Sequence, residues 1–205
     1  MTKKWLRERK DDTYHRRAKE DGFRSRAIYK LFQISKPHNL IKTGDTVVDV
    51  GSFPGGWIQG ARLLVGEEGF VLGIDLKPIK AFSWSNVKTL VGDITSLEED
   101  EIRKALPRKA DVIISDVSPN LSGIWEVDHA RQMDLARKSV ELARVLLHRG
   151  GNLIVKVFQG ESFKEFLDEV KARFRYVKVV KPKARRKRSA EVYIVARGYN
   201  LKRGK

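Results

Sequence analysis

The chain contains no cysteine, which excludes disulfides and any thiolate metal site. Its 4 histidines are scattered, without the short spacings that metal ligation requires. No apolar run reaches the roughly 20 residues that a membrane-spanning helix needs. The N-terminus is charged throughout and lacks the apolar centre of a signal peptide. Acidic residues are also short, 26 against 42 Lys and Arg, giving a formal charge of +16 at pH 7. Such a surface attracts polyanions and speeds encounter with them, so the expectation is a cytoplasmic protein with a nucleic-acid partner and no membrane. At 205 residues the chain fits one domain with a sizeable core, and it shows no internal repeat.

What the chain does have is concentrated first in Val47-Val48-Asp49-Val50-Gly51-Ser52-Phe53-Pro54-Gly55-Gly56-Trp57. A β-branched run ends in a glycine-rich turn, and an apolar helical pattern follows towards Val65. This is the first strand, loop and helix of an α/β nucleotide-type site. Glycine lets a ligand approach the backbone closely, and the helix begins with free N–H groups. Two further absences narrow the ligand. There is no glycine two positions after Gly51, as a dinucleotide site requires, and no Gly-Lys-Ser/Thr of a phosphate-cradling loop. Asp49, near the strand end, would repel a pyrophosphate but suits a cationic or amino-bearing ligand.

Alternating strand and helix patterns surround this unit. A helix is expected over 24–36, with Ser25 as its cap and Pro37 as its stop; Lys30 falls near its apolar face. Strands are expected at 46–50, 70–75, 87–91, 111–115, 152–158, 175–180 and 191–196. Helices are expected at 57–65, 98–106, 127–148 and 162–172, the long one ended by Gly150-Gly151. The pattern predicts an α/β, Rossmann-like fold: a seven-stranded, mostly parallel sheet with helices on both faces. Strand seven follows strand six without a helical crossover, so it should run antiparallel. Residues 1–22 read as a basic N-terminal arm containing Trp5 and Tyr14, 23–198 as the single domain, and 199–205 as a basic tail.

Three strands end in aspartates on the ligand side: Asp75, Asp93 and Asp116. Asp75 lies about twenty residues past the glycine loop, the spacing of a ribose-binding carboxylate. Asp93 is placed to accept a hydrogen bond from an adenine amino group. Lys156 stands inside an apolar strand, where an ammonium is costly unless paired or neutral. The densest basic run, Lys181-Pro182-Lys183-Ala184-Arg185-Arg186-Lys187-Arg188, lies between two strands. Held near the sheet edge, it favours phosphate binding.

The glycine loop, together with Ser-Arg-Ala-Ile-Tyr-Lys, Ser-Asp-Val-Ser-Pro-Asn, Ile-Val-Lys-Val-Phe and Ser-Ala-Glu-Val-Tyr, resembles the FtsJ-type ribose 2′-O-methyltransferases, which use S-adenosyl-L-methionine. The likeness runs from about Lys19 to about Arg197 and is greatest to the branch acting on large-subunit ribosomal RNA. It implies the methyltransferase fold and a catalytic set of Lys30, Asp116, Lys156 and Glu191. It also implies cofactor contacts from Gly55 and Trp57, with Asp75 at the ribose, Asp93 at the adenine, Asp116 near the methionine end, and no metal. The expected enzyme is a monomer that methylates a uridine ribose of large-subunit ribosomal RNA in the assembled subunit. Lys181, Lys183, Arg185, Arg186, Lys187 and Arg188 are its candidate RNA contacts. Methyl transfer to a ribose hydroxyl needs in-line approach and help with a proton. The cationic ligand and Lys30 would disfavour a charge on Lys156 and make it a base; alternatively Lys156 stays charged and stabilises the developing alkoxide. Glu191 would orient Lys30 or the ribose. Transfer RNA is the alternative substrate. A non-catalytic RNA-binding protein would more naturally lack Lys156 or Asp116, and a nicotinamide oxidoreductase would want the missing glycine pattern.

Overall fold

A computed structural model of the chain describes residues 12–185 and 189–200. Its centre is β1 (Thr46–Val50), buried along its whole length. A Thr-Val-Val-Asp-Val run suits that place, since a parallel strand covered on both faces has no polar side to show. β2 (Phe70–Asp75) and β4 (Ala110–Ser115) flank it in parallel. β3 (Val87–Val91) adds to β2, and β5 (Leu147–Phe158) to β4. β7 (Glu191–Tyr199) runs antiparallel between β5 and β6 (Phe174–Val180). The seven-stranded order is β3-β2-β1-β4-β5-β7-β6. It reverses between β1 and β4, where open α/β sheets bind ligands beyond their carboxyl ends.

Helices cover both faces, as the alternation predicts. α1 (Thr13–Glu20), α2 (Ala27–Ser35) and α3 (Gly56–Val65) lie towards one end of the chain; α4 (Glu99–Ala105), α5 (Trp125–Leu146) and α6 (Phe163–Arg173) follow. One core joins Val48, Val50, Ile113 and Val155 to Met133, Ala136 and Val140 of α5 and Phe166 of α6. The other joins Val47, Val112, Ile114 and Ile154 to Leu31 and Ile34 of α2 and Ile58 of α3. The period of two along each strand sends alternate residues to alternate cores.

The structure departs from the sequence expectations at three places. Ser25 does not cap α2: the cap position is Arg26, without a side-chain cap bond. Ser25 instead packs its hydroxyl against the start of α3, where any Cβ on Gly56 would meet Ser25 Oγ at 2.1 Å. The long helix ends at Leu146 rather than at Gly150-Gly151, and β5 begins at once with Leu147. The glycines fall inside a register shift of β5, which pairs Leu147 with Ala110 and then Asn152 with Val112. Finally, residues 13–20, placed with the basic arm, form α1. Asp12 caps it by accepting from His15 N at 3.2 Å, and Ala18 is buried against Ile28, Tyr29 and Ala184. Residues 1–11 and 201–205 lie outside the described residues, as do Arg186, Lys187 and Arg188.

Candidate active site

The loop after β1 turns sharply at Gly51, whose φ is 75°. A side chain there would also strike Val117, 2.7 Å from the Cβ position, so the β1 and β4 loops can meet only over a glycine. Beyond them opens a cavity of about 320 Å³, within the roughly 300–1,000 Å³ of small-molecule sites. Asp75, Asp93 and Asp116 all contribute to its wall, along with Gly51, Phe53 and Asn120.

Local turns hold two of these carboxylates. Asp75 accepts from Phe53 N (2.8 Å) and Lys77 N (2.9 Å), one bond on each oxygen. Asp93 accepts from the N–H and hydroxyl of Thr95, both at 2.8 Å and both on Oδ1. Those bonds hold the Asp93 carboxyl below its ordinary value. A carboxylate oxygen has two lone pairs, so both residues keep acceptor capacity for a ligand's hydroxyl or amino groups. The fit is to a cationic or donor-rich ligand: three carboxylates line the cavity, against Lys77 as its single lysine or arginine.

Gly55 and Trp57 stand elsewhere. Neither lines the cavity. Gly55 takes φ 108° just before α3 and faces Arg24 and Phe82. The Trp57 ring points inward, donating to Ala27 O at 2.7 Å and packing 5.9 Å from the Tyr193 ring. The Gly55 N–H is taken within the loop, donating to Ser52 O at 2.6 Å.

Asp116 is shared between the cavity and a second group of side chains. Lys156 donates to Asp116 O (2.7 Å) and lies 3.2 Å from Asp116 Oδ1. Lys30, from α2, lies 3.8 Å from Asp116 Oδ2, 3.1 Å from Glu191 Oε2 and 3.1 Å from the Tyr193 hydroxyl. Tyr193 in turn donates to Asp116 Oδ1 at 2.6 Å. Lys30, Asp116, Lys156 and Glu191, spread across most of the chain, are thus brought into one hydrogen-bonded cluster. The sheet explains the convergence. β5 and β7 pair Lys156 with Tyr193 and Phe158 with Glu191, so the period of two places Glu191 and Tyr193 on one face. Gln132 of α5 fixes the strand by donating to Lys156 O at 3.0 Å.

The electrostatics follow from these contacts. Burial alone would raise the Asp116 carboxyl, but the charges of Lys156 and Lys30 and the Tyr193 hydrogen bond outweigh it and lower it. Burial raises the Tyr193 hydroxyl well above its ordinary value, aided by the negative charges of Asp116 and Glu191, so it stays a proton donor. Tyr193 is the residue that sequence reasoning missed. Its signal was its place two residues after Glu191 on a strand, which reads as ordinary core.

The basic segment before β7 is docked rather than loose. Ala184 is buried and donates its N–H to Gln33 Oε1 at 2.9 Å, while Lys181 and Lys183 are exposed. Arg185 donates to Ser189 O at 2.9 Å.

The family model of FtsJ-like methyltransferases matches residues 23–199. The ribosomal RNA large subunit methyltransferase E of Methanococcus vannielii is 47% identical over 202 residues, covering 98% of this chain and 78% of that protein. The protein of the same name from Methanobrevibacter smithii is 44% identical over 206 residues, covering 100% and 98%. Among solved structures, one described as a ribosomal RNA methyltransferase of Plasmodium falciparum has a TM-score of 0.75 at 25% identity, covering 86% of this chain and 98% of that one.

Proposed function

The chain belongs to the FtsJ-like methyltransferase family, and from that premise we propose that it methylates the 2′-hydroxyl of a ribose, a uridine, in large-subunit ribosomal RNA, with S-adenosyl-L-methionine as methyl donor. One observation carries the proposal: Asp116 belongs at once to the wall of the carboxylate-lined cavity and to the Lys30–Tyr193–Lys156–Glu191 cluster. Donor and acceptor would therefore meet at that residue.

S-adenosyl-L-methionine, when bound, supplies a sulfonium methyl with a good neutral leaving group. Asp75 would hold its ribose, Asp93 its adenine amino group, and Asp116 its methionine end. Gly55 and Trp57 would act from behind the cavity wall, shaping the loop and the start of α3. For the acceptor, the chain supplies Lys156. Its ammonium has three donors, of which Asp116 takes two. The remaining one serves the ribose oxygen and stabilises the negative charge that develops as its proton passes to water; in the alternative, a neutral Lys156 amine takes that proton on its own lone pair. Lys30 and Tyr193 fix Asp116 so that this geometry exists before substrate arrives, and Glu191 fixes Lys30. The exposed Lys181 and Lys183 would take RNA phosphates. The relatives named for large-subunit ribosomal RNA support that substrate over transfer RNA. The proposed working form is a monomer in the cytoplasm acting on the assembled subunit; among the described residues no helix is long and apolar enough to cross a membrane.

The test is transfer from radiolabelled S-adenosyl-L-methionine to assembled large subunits, free ribosomal RNA and transfer RNA, with Lys156→Ala as control. Label that maps to one uridine ribose of large-subunit RNA, and vanishes in the variant, is expected. Label confined to transfer RNA would keep the chemistry and overturn the substrate. Absence of label despite cofactor binding would overturn the enzyme.

A further inference from the structure

Between Asp116 and the first turn of α5 the chain exposes four large apolar side chains: Leu121 (67%), Ile124 (57%), Trp125 (45%) and Val127 (37%). Neither the cavity wall nor the catalytic cluster uses them. The segment that displays them is firmly built. The buried Asp128 carboxylate accepts from Ser122 N (2.7 Å), Ser122 Oγ (2.8 Å) and Gly123 N (3.1 Å), and Ile124 N donates back to Ser122 Oγ (3.2 Å). Apolar surface left in water forgoes about 25 cal/mol per Å² of burial. A loop pinned so as to hold four such side chains outward implies an occupant.

The position of Trp125 indicates which occupant. Its ring stacks on Phe158 (centroids 6.0 Å apart, planes 22° apart) and leans on His129. Phe158 lies two residues beyond Lys156 on the same strand face, about 7 Å along at roughly 3.3 Å per residue. In register Phe158 pairs with Glu191. On the other side of β7 lies β6, whose last residue, Val180, pairs with Tyr193 and is followed by the exposed Lys181. The Lys156–Glu191 region is therefore flanked by cations on one side and an aromatic ledge on the other. Single-stranded nucleic acid is held in this way, its phosphates on cations and its base faces on rings. A second copy of the chain fits less well, because a formal charge of +16 per molecule opposes self-association.

We propose that Trp125, with Ile124 and Leu121 beside it, is a stacking platform for an unpaired base of the RNA substrate adjoining the ribose held at Lys156. The inference rests on the RNA-methylating role proposed above and adds a specificity-determining surface to it. A nucleotide splayed from its helix would expose both its 2′-hydroxyl and its base, and the platform would receive the base.

The test is binding of a fluorescein-labelled single-stranded RNA of roughly 12 nucleotides, a length within the span of single-strand sites, followed by anisotropy across a salt series. Trp125→Ala should weaken binding by about 5- to 150-fold, the range of one base–aromatic stack, and Trp125→Phe should restore it to within about 3-fold. The salt slope of Trp125→Ala should match the wild type, because no phosphate contact is lost. Ile124→Ser, a change at an exposed position, should weaken binding in the same direction with an unaltered melting temperature. Wild-type binding with Trp125→Ala unchanged would overturn the platform and leave the proposed function standing. Failure of the wild type to bind this single-stranded RNA would overturn the platform, while the methyl-transfer assay on large subunits decides the proposed function separately. A dimer in sedimentation that Trp125→Ala dissociates would also overturn it, making a second copy the occupant.

Discussion

Asp49 of β1 and Asp116, one residue past the end of the neighbouring β4, have carboxyls shifted in opposite directions. Asp49 is fully buried, in register beside Gly73 and Ile114. Neither of its carboxylate oxygens has a hydrogen-bond partner among the described residues. Burial pushes its carboxyl well above the ordinary value, and the charges of Asp116 and Asp75 push it further. Asp116, with 17% of its side chain exposed, has two ammoniums and a phenol around it and is lowered instead. Partners, far more than depth, decide the outcome, since desolvation raises any carboxyl and only nearby cations and donors reverse it. Asp49 is a core-like group beneath the β1 loop with a raised carboxyl, and Asp116 carries a lowered one around which Lys30 and Lys156 gather.

Removing the anion should have the larger effect. Asp116→Asn leaves Lys156 and Lys30 without their shared partner. Activity is expected to fall on the order of 10²–10³-fold, as for loss of a preorganised electrostatic group. Loss of a buried pair costs roughly 3 kcal/mol, and at about 2–4 °C per kcal/mol for a domain of this size the melting temperature should drop by some 6–12 °C. Methyl-transfer kinetics and thermal unfolding read the two effects separately. Unchanged stability would mean that the lysines do not depend on Asp116.

Tyr193→Phe should act next. It removes the hydroxyl that donates to Asp116 and receives Lys30, while keeping the ring that packs on Trp57. The expected loss is about tenfold in activity and roughly 1 kcal/mol in stability, the scale of one hydrogen bond. Activity reduced as far as in Asp116→Asn would promote Tyr193 from a positioning residue to a reacting one.

The smallest effect should be at Asp49, and with the opposite sign. A carboxyl raised in the folded state makes stability fall as pH climbs from about 4, the unfolded value, towards the folded value. Asp116, lowered in the folded state, makes stability present above about pH 4 and lost as pH falls below it. Asp49→Asn should therefore be more stable than the wild type near neutrality, the gain closing below about pH 4. Asp116→Asn should be less stable near neutrality, its deficit closing in acid. Urea unfolding of both variants at several pH values, without ligand, would break the comparison if the two curves shifted the same way.

The same contrast explains what could be read from the chain. β1, β2 and β3 match their expected residues throughout: β1 and most of β2 are buried parallel strands, which read as near-continuous apolar runs, and β3, only partly buried, is bounded by Gly92. Asp75 closes β2 and Asp93 follows β3 by two residues, and each reaches the cavity wall held by its own turn. The end of α5 was not legible: Leu146 and Leu147 are both apolar and suit helix or strand alike, so the glycines drew the boundary too late. α1 was hidden by polarity, with Tyr14 and Ala18 as its only apolar positions at helical spacing. The Lys30–Asp116–Lys156–Glu191 cluster is tertiary. Lys156 stood out because an ammonium inside an apolar strand demands a partner, whereas Tyr193 and the inward turn of Trp57 depend on which strands and helices adjoin.

The most direct measurement of the central claim is kcat for methyl transfer by Lys156→Ala, with the dissociation constant for S-adenosyl-L-methionine measured on the same preparation. If Lys156 is the group at the ribose oxygen and Asp75, Asp93 and Asp116 hold the cofactor, kcat should fall by about 10³-fold or more, with cofactor affinity held within about 3-fold, less than 1 kcal/mol. A variant that keeps kcat within about tenfold, a barrier change of only 1.4 kcal/mol, or that loses cofactor binding in proportion to activity, would contradict it.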